Sequence, residues 1–147
     1  MRDLSVKRWS AIHRSLYRLT GGRVGRRLAN NDMLLLTTRG RKTGEPHTVP
    51  LLYLEEEGTL AVIASYGGRH QHPEWYLNLV DDPSVTAQTG NRTLRLTART
   101  ASVAERATWW PRAVSAYHDY AEYQSRTGRE IPIVLLEPGG HGPLISQ

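Results

Sequence analysis

The chain contains no cysteine, which excludes disulfides, thiolate metal ligands and thiol nucleophiles together. That absence suits a reducing cytosol. No apolar run approaches the roughly 20 residues of a membrane-spanning helix. The stretch from Met1 to Leu19 lacks the uninterrupted apolar segment of an export signal. The expected location is therefore the cytoplasm. Internal repeats and low-complexity tracts are missing. No histidine pattern of the HExxH kind occurs, and His70-Gln71-His72 would need a third ligand from elsewhere, so no metal is expected. No nucleic-acid reader motif is present, and nucleic acid is not an expected partner.

What remains is a basic chain of one-domain size. Its 147 residues can bury a core without staples. Lysine and arginine number 19 against 14 acidic residues, a net charge of +5. Such a surface favours anionic partners. Arginine outnumbers lysine, and its planar fork binds phosphate and carboxylate through paired hydrogen bonds.

Residues 1–28 read as a basic amphipathic helix and linker. Trp9, Ile12, Leu16 and Leu19 recur at helical spacing, with Lys7, Arg8, Arg14 and Arg18 over the remaining surface. Gly21, Gly22 and Gly25 end it. Two roles stay open: packing on the domain, or peripheral contact with anionic lipid on the inner face of the cell membrane.

Residues 29–147 read as the folded domain. Six strands are expected: Met33–Thr38, His47–Leu54, Leu60–Ala64, Val85–Thr89, Thr93–Val103 and Ile133–Glu137. Pro50 removes a ladder donor, so the second strand should be an edge or bulged. Leu60–Ala64 is apolar throughout, as for a strand buried on both faces. Gly90-Asn91 marks a hairpin turn. Helices are expected over Pro73–Val80 and Ala104–Gln124, the second kinked or divided at Pro111. Short links favour antiparallel pairing. The fold class is α+β, a small, mostly antiparallel barrel flanked by helices.

Four motifs could carry chemistry. Thr37-Thr38-Arg39-Gly40-Arg41-Lys42-Thr43-Gly44 places cations and hydroxyls between glycines at a strand end, where backbone N–H groups can approach an anion. It is not a Walker A loop. Ala64-Ser65-Tyr66-Gly67-Gly68 runs a buried strand into a hydroxyl and a flexible glycine pair. His72-Pro73-Glu74-Trp75-Tyr76-Leu77-Asn78 opens a helix with unpaired N–H groups and a tryptophan able to cover a flat ring. Tyr117, Tyr120 and Tyr123 share one helix face and offer flat walls with hydroxyl donors. Each motif also has an ordinary structural reading as a charged turn, a polar turn or a half-buried helix face.

Taken in order, these segments, with Leu34-Leu35-Leu36, Pro50-Leu51 and Ile131-Pro132-Ile133, resemble the deazaflavin-dependent nitroreductase family over about Leu34 to Pro138. The resemblance implies a six-stranded split β-barrel related to flavin-mononucleotide-binding barrels. It implies coenzyme F420 as hydride source, with quinones, nitroaromatics or unsaturated lactones as small-molecule acceptors. It places the cofactor's phosphate at Arg39, Arg41, Lys42 and Thr43. Ser65 and Tyr66 fall near the deazaflavin ring, and Glu74, Trp75, Tyr76, Leu77 and Asn78 beside it. The expected catalytic groups are Ser65, Tyr117, Tyr120 and Tyr123. Two positions depart from the family: Tyr66 stands where a basic residue often follows the serine, and Leu52 where an aromatic is common. Alternatives are a deazaflavin carrier without turnover and a flavin-mononucleotide oxidoreductase on the same barrel.

Overall fold

The computed structural model describes residues 33–139. The expected N-terminal helix, its linker and the boundary at residue 28 lie outside those residues. The elements are β1 (Met33–Arg39), β2 (Pro46–Leu52), β3 (Leu54–Glu56), β4 (Thr59–Ile63), α1 (Glu74–Asp81), β5 (Ser84–Thr89), β6 (Arg92–Thr100), α2 (Val103–Ala116), α3 (Asp119–Ser125) and β7 (Ile133–Pro138). All strand pairs are antiparallel, in the order β2-β1-β5-β6-β7-β4-β3.

The sheet has seven strands rather than six, because the run from His47 to Leu54 divides at Tyr53. Its first part, β2, pairs with β1, and its second part, β3, pairs with β4. These are opposite edges of the sheet. One stretch of chain therefore serves both edges, and the sheet must curl to bring them together without a closed ring of ladder bonds. Pro50 sits on β2 opposite Leu35. As an edge strand, β2 loses little from the missing N–H.

Local chemistry sets the hairpins. Glu57 and Gly58 both have positive φ, 53° and 86°, the two-residue turn whose twist matches paired strands. Gly90-Asn91 makes the second tight turn, with φ 60° at Gly90.

Two cores lie on the two faces of the curled sheet. Along β4, Leu60 and Val62 enter the inner one, while Ala61 and Ile63 enter the outer one. That alternation is the period of a strand and accounts for its uniformly apolar sequence. Trp75 and Leu79 of α1 plug the inner core. Trp109, Ala113, Tyr117 and Tyr120 cover the outer one.

The span Ala104–Gln124, expected to be kinked or divided at Pro111, is two helices, and the division is not at Pro111. Helix α2 runs through Pro111 and ends at Ala116, and Tyr117 is extended with φ −149° and ψ 99°. Proline forfeits one bond within a helix, and α2 absorbs that loss. The extended Tyr117 instead lets Tyr117 and Tyr120 both turn into the outer core.

Ser102 caps α2: its hydroxyl accepts from the Glu105 N–H at 3.2 Å, and the Glu105 carboxylate accepts from the Ser102 N–H at 2.8 Å. This reciprocal pairing satisfies two otherwise unpaired donors. Arg99 of β6 donates to Glu105 and to Glu137 of β7, tying the helix start to two strands. Arg99 and the Ser102 N–H hold the Glu105 carboxyl down at about 2. A depressed folded value stabilises the fold above the unfolded value near 4.5, and that contribution fades as pH falls towards 2. Glu105→Gln keeps a capping-box side chain but loses the ion pair with Arg99, and is expected to lower the melting temperature at pH 7 by about 1–4 °C, as for an exposed charge pair worth up to about 1 kcal/mol. The gap from wild type should narrow as melting curves are repeated from pH 5 down to pH 2.

Candidate functional site

A long groove runs along one end of the curled sheet. Its wide part is a cleft of about 630 Å3, lined by β2, Ile63, Ser65, Tyr66, Trp75 and the tyrosines 117, 120 and 123. Its narrow part is a pocket of about 260 Å3 walled by the loop Gly40–Pro46 together with Glu74 and Asn78. His47 and Glu74 line both parts, so an aromatic-walled cleft and a cationic recess are neighbours.

The recess is shaped by a tight loop. The Gly40 N–H donates to Glu45 O at 2.8 Å, and the Gly44 N–H donates to Gly40 O at 2.7 Å. A Cβ on Gly40 would lie 3.0 Å from both Glu45 O and Thr43 Oγ1, so the turn needs glycine there. Thr43 turns its hydroxyl inwards and accepts from the Glu45 N–H. Asn78 holds the loop from below. Its Oδ1 accepts from the Arg41 N–H at 3.2 Å and from Arg41 Nη1 at 2.9 Å, and its Nδ2 donates to Thr38 Oγ1 at 3.2 Å. Asn78 and Thr38 are buried. Arg41 also pairs with Glu74 at 2.8 Å. Its hydrogen bond and charge hold the Glu74 carboxyl below the usual carboxylate range. Lys42 lines the same recess and is exposed.

At the other end β4 runs into Ser65, which lines the cleft and whose hydroxyl makes no cap bond to the turn that follows. Tyr66, Gly67 and Gly68 then take three left-handed conformations in succession, with φ 49°, 64° and 84°. Gly68 is no flexible joint: a Cβ there would lie 2.7 Å from Tyr123 O. The glycine lets the serine turn rest directly on α3, which sets the spacing between Ser65 and the phenols. Tyr66 carries the Arg69 guanidinium over its ring at 4.6 Å and accepts from Arg69 Nη1 at 3.3 Å.

The tyrosines form one wall although they do not share one helix. Tyr117 and Tyr120 meet edge to face with centroids 5.1 Å apart, and each lies 6.3 Å from Tyr123. The Tyr117 and Tyr123 hydroxyls are 3.4 Å apart. Burial, then the neighbouring Tyr123, drives the Tyr117 phenol well above its ordinary range.

Several candidate residues do not converge on the groove. Tyr76 bonds Thr100 Oγ1 at 2.8 Å and, like Leu77, lines neither part. Arg39 lines neither part and lies 4.0 Å from Asp82. Trp75 lines the cleft but is 6% exposed and belongs mainly to the inner core. Asn78 reaches the recess mainly through the loop it holds. Sequence reasoning missed Arg129, whose guanidinium donates to the carbonyls of Ala64, Ser65 and Arg69. It lies 64 positions from Ser65, and no spacing signal links them. Among the described residues no three acidic or histidine side chains gather as a metal site, and no helix is long and apolar enough to cross a membrane.

A cationic recess and a tyrosine-walled cleft thus lie side by side on a curled antiparallel sheet. Comparison with known proteins gives the class. The family model for F420H(2)-dependent quinone reductase matches residues 9–138. The Mycobacterium tuberculosis F420H(2)-dependent quinone reductase Rv1261c is 35% identical over 85% of this chain and 87% of its own length. A second protein of that organism, Rv3178, is 42% identical over 71% of this chain and 88% of its own. The solved structure of the F420-H2 dependent reductase FDR-A is 45% identical, with a TM-score of 0.67, and the match covers 72% of this chain and 94% of that one. A FAD-binding protein from Mesorhizobium loti, 15% identical at a TM-score of 0.55 over 76% and 83% of the two chains, shares the fold alone. This chain belongs to the F420H(2)-dependent quinone reductase family.

The buried amide of Asn78 is expected to govern the recess. Asn78→Ala leaves Thr38 Oγ1 and the Arg41 N–H without this partner, at about 1–3 kcal/mol for an unsatisfied buried group. Denaturant titration should show that loss, and calorimetry should show weaker cofactor binding in the same variant.

Proposed function

We propose that this protein oxidises reduced coenzyme F420 and passes the hydride to a quinone, with the recess as the phosphate end of the site and the cleft as its ring and acceptor end. The observation that carries the reading is that the two adjoin at His47 and Glu74. The cofactor couples a flat deazaflavin to an anionic phosphodiester and polyglutamate tail, and the groove couples a flat-walled cleft to a basic recess. The residues present therefore fit the group.

Lys42, the unpaired donors of Arg41 and the loop backbone would hold the phosphate. Trp75 and Tyr66 flank the ring end, and Ser65 offers a hydroxyl to a ring or acceptor oxygen. The bound cofactor supplies the hydride, which is the hard chemistry. The protein orients, excludes water and places donors where negative charge develops. Tyr117 fits the donor role because its proton is firmly held. Tyr120 packs edge-on against it and brings a second phenol hydroxyl to the acceptor side.

The same reading extends to nitroaromatics and unsaturated lactones, which likewise gain negative charge at an oxygen as hydride arrives. A cytoplasmic protein serving a membrane-borne quinone would use residues 1–28 as a peripheral contact. Liposome flotation with and without those residues tests that contact, and equal flotation would remove it.

Two predictions separate the roles. Lys42→Ala is expected to weaken cofactor binding about 10-fold at low salt, as for one charge-assisted contact, with the difference fading as salt rises. Arg41→Ala should weaken binding at every salt concentration, because it also releases Asn78 and Glu74. Calorimetric titrations at two ionic strengths read both. In steady-state assays with menadione and a nitroimidazole, Tyr117→Phe and Tyr120→Phe should lower kcat about 10-fold or more while leaving cofactor affinity nearly unchanged. Cofactor binding without turnover of any acceptor would make the protein a carrier, and binding of flavin mononucleotide in preference would move it to that class.

A further inference from the structure

Arg129 lies in the loop between α3 and β7, behind the cleft wall rather than among its lining residues. Its guanidinium donates to Ala64 O at 3.2 Å, Ser65 O at 2.8 Å and Arg69 O at 2.9 Å, and meets His72 Nδ1 at 3.0 Å. His72 accepts that bond as the neutral ring, and burial and the Arg129 charge both lower its pKa. No carboxylate among the described residues pairs with Arg129. A half-buried cation without a counter-ion is costly, and here backbone carbonyls and the neutral His72 ring compensate it.

Those carbonyls orient what lies on their far sides. In a trans peptide the C=O and the N–H point in opposite directions. With Ala64 O and Ser65 O turned onto the guanidinium, the N–H groups of Ser65 and Tyr66 turn away from it. Ser65 is right-handed, φ −76° and ψ −38°, and Tyr66 left-handed, φ 49°. This alternation makes successive N–H groups converge on one point. Neither N–H meets an acceptor among the described residues. Ser65 and Tyr66 line the cleft, so the two N–H groups open on the cleft beside the Ser65 hydroxyl. Tyr66 supplies a further sign: a bulky residue in the left-handed region is strained, and such strain persists only where the surroundings enforce it.

We propose that Arg129 is a positioning residue that aims the Ser65 and Tyr66 N–H groups at the acceptor oxygen that becomes anionic during reduction. The inference rests on the quinone-reductase reading. The quinone gains two electrons and one proton as hydride from the reduced cofactor, which is thereby oxidised. One quinone carbonyl becomes a phenolate, which the paired N–H groups receive, and solvent then protonates it. Fixed backbone donors need no reorganisation as that charge appears.

A phenol that ionises in the bound state reports on such a site without turnover. 4-Nitrophenol, whose phenolate absorbs in the visible, is titrated with wild-type protein and with Arg129→Gln across pH. Wild type is expected to bind the phenolate about tenfold more tightly than the neutral phenol, and Arg129→Gln should lose that preference. Arg129→Lys keeps the charge but not the fork and should fall between them; it serves as the test if Arg129→Gln does not fold by circular dichroism. In steady state with menadione, kcat should fall about tenfold or more in Arg129→Gln while the calorimetric Kd for cofactor stays within about twofold. Millimolar guanidinium should restore part of the loss. Equal phenolate preference in all variants, or no binding of 4-nitrophenol by wild type, would overturn the proposal. If wild type instead failed to oxidise reduced cofactor with menadione, the quinone-reductase reading would fail, while the phenol titration would still report on the N–H pair.

Discussion

The site depends on one buried side-chain amide. Asn78 sits on the inner face of α1 and reaches both the end of β1, through Thr38, and the anion loop, through the Arg41 N–H. A buried amide with a missing partner is costly, so the two contacts are mutually enforcing. Helix α1 is held in turn by Trp75 and Leu79 in the inner core. Core packing thereby fixes the position of a surface loop, which would otherwise be among the more mobile parts of a small domain.

The charges in the groove are less uniform than the net charge suggests. Arg41 is largely engaged by Glu74 and Asn78, and Arg39, 4.0 Å from Asp82, does not line the recess. Lys42 is the cation of the loop that most freely meets a ligand. At the cleft end, a positive charge stands behind the wall rather than in it. Arg129 acts through the carbonyls of Ala64 and Ser65, so its influence arrives as oriented peptide dipoles. On the proposed reading, the groove has a salt-sensitive end for binding and a preorganised end for chemistry.

Both ends are set by close backbone approach. Gly40 closes the loop where a Cβ would strike Glu45 O, and Gly68 lets the serine turn touch α3 where a Cβ would strike Tyr123 O. The second contact matters more for the reaction. It brings residues from β4 and α3, far apart in the chain, to opposite sides of one cleft.

Strand and helix positions were legible from the sequence because period-two alternation, glycine turns and the edge proline at Pro50 are local signals. The family motifs, including the loop at Arg41 and Lys42, Ser65 and the tyrosines, were legible as short patterns in order. Other features exist only in three dimensions. The split at Tyr53 follows from one strand having to serve two edges of a curled sheet. The break at Tyr117 rather than Pro111 follows from burying two tyrosines against that sheet. Arg129 behind Ser65, and the turning away of Tyr76 and Arg39, depend on contacts between residues tens of positions apart. Sequence alone determined which chemistry was available, since residue type and spacing are written in it. Tertiary structure decided which of those groups face one another, because only packing fixes the direction in which a side chain or a peptide points.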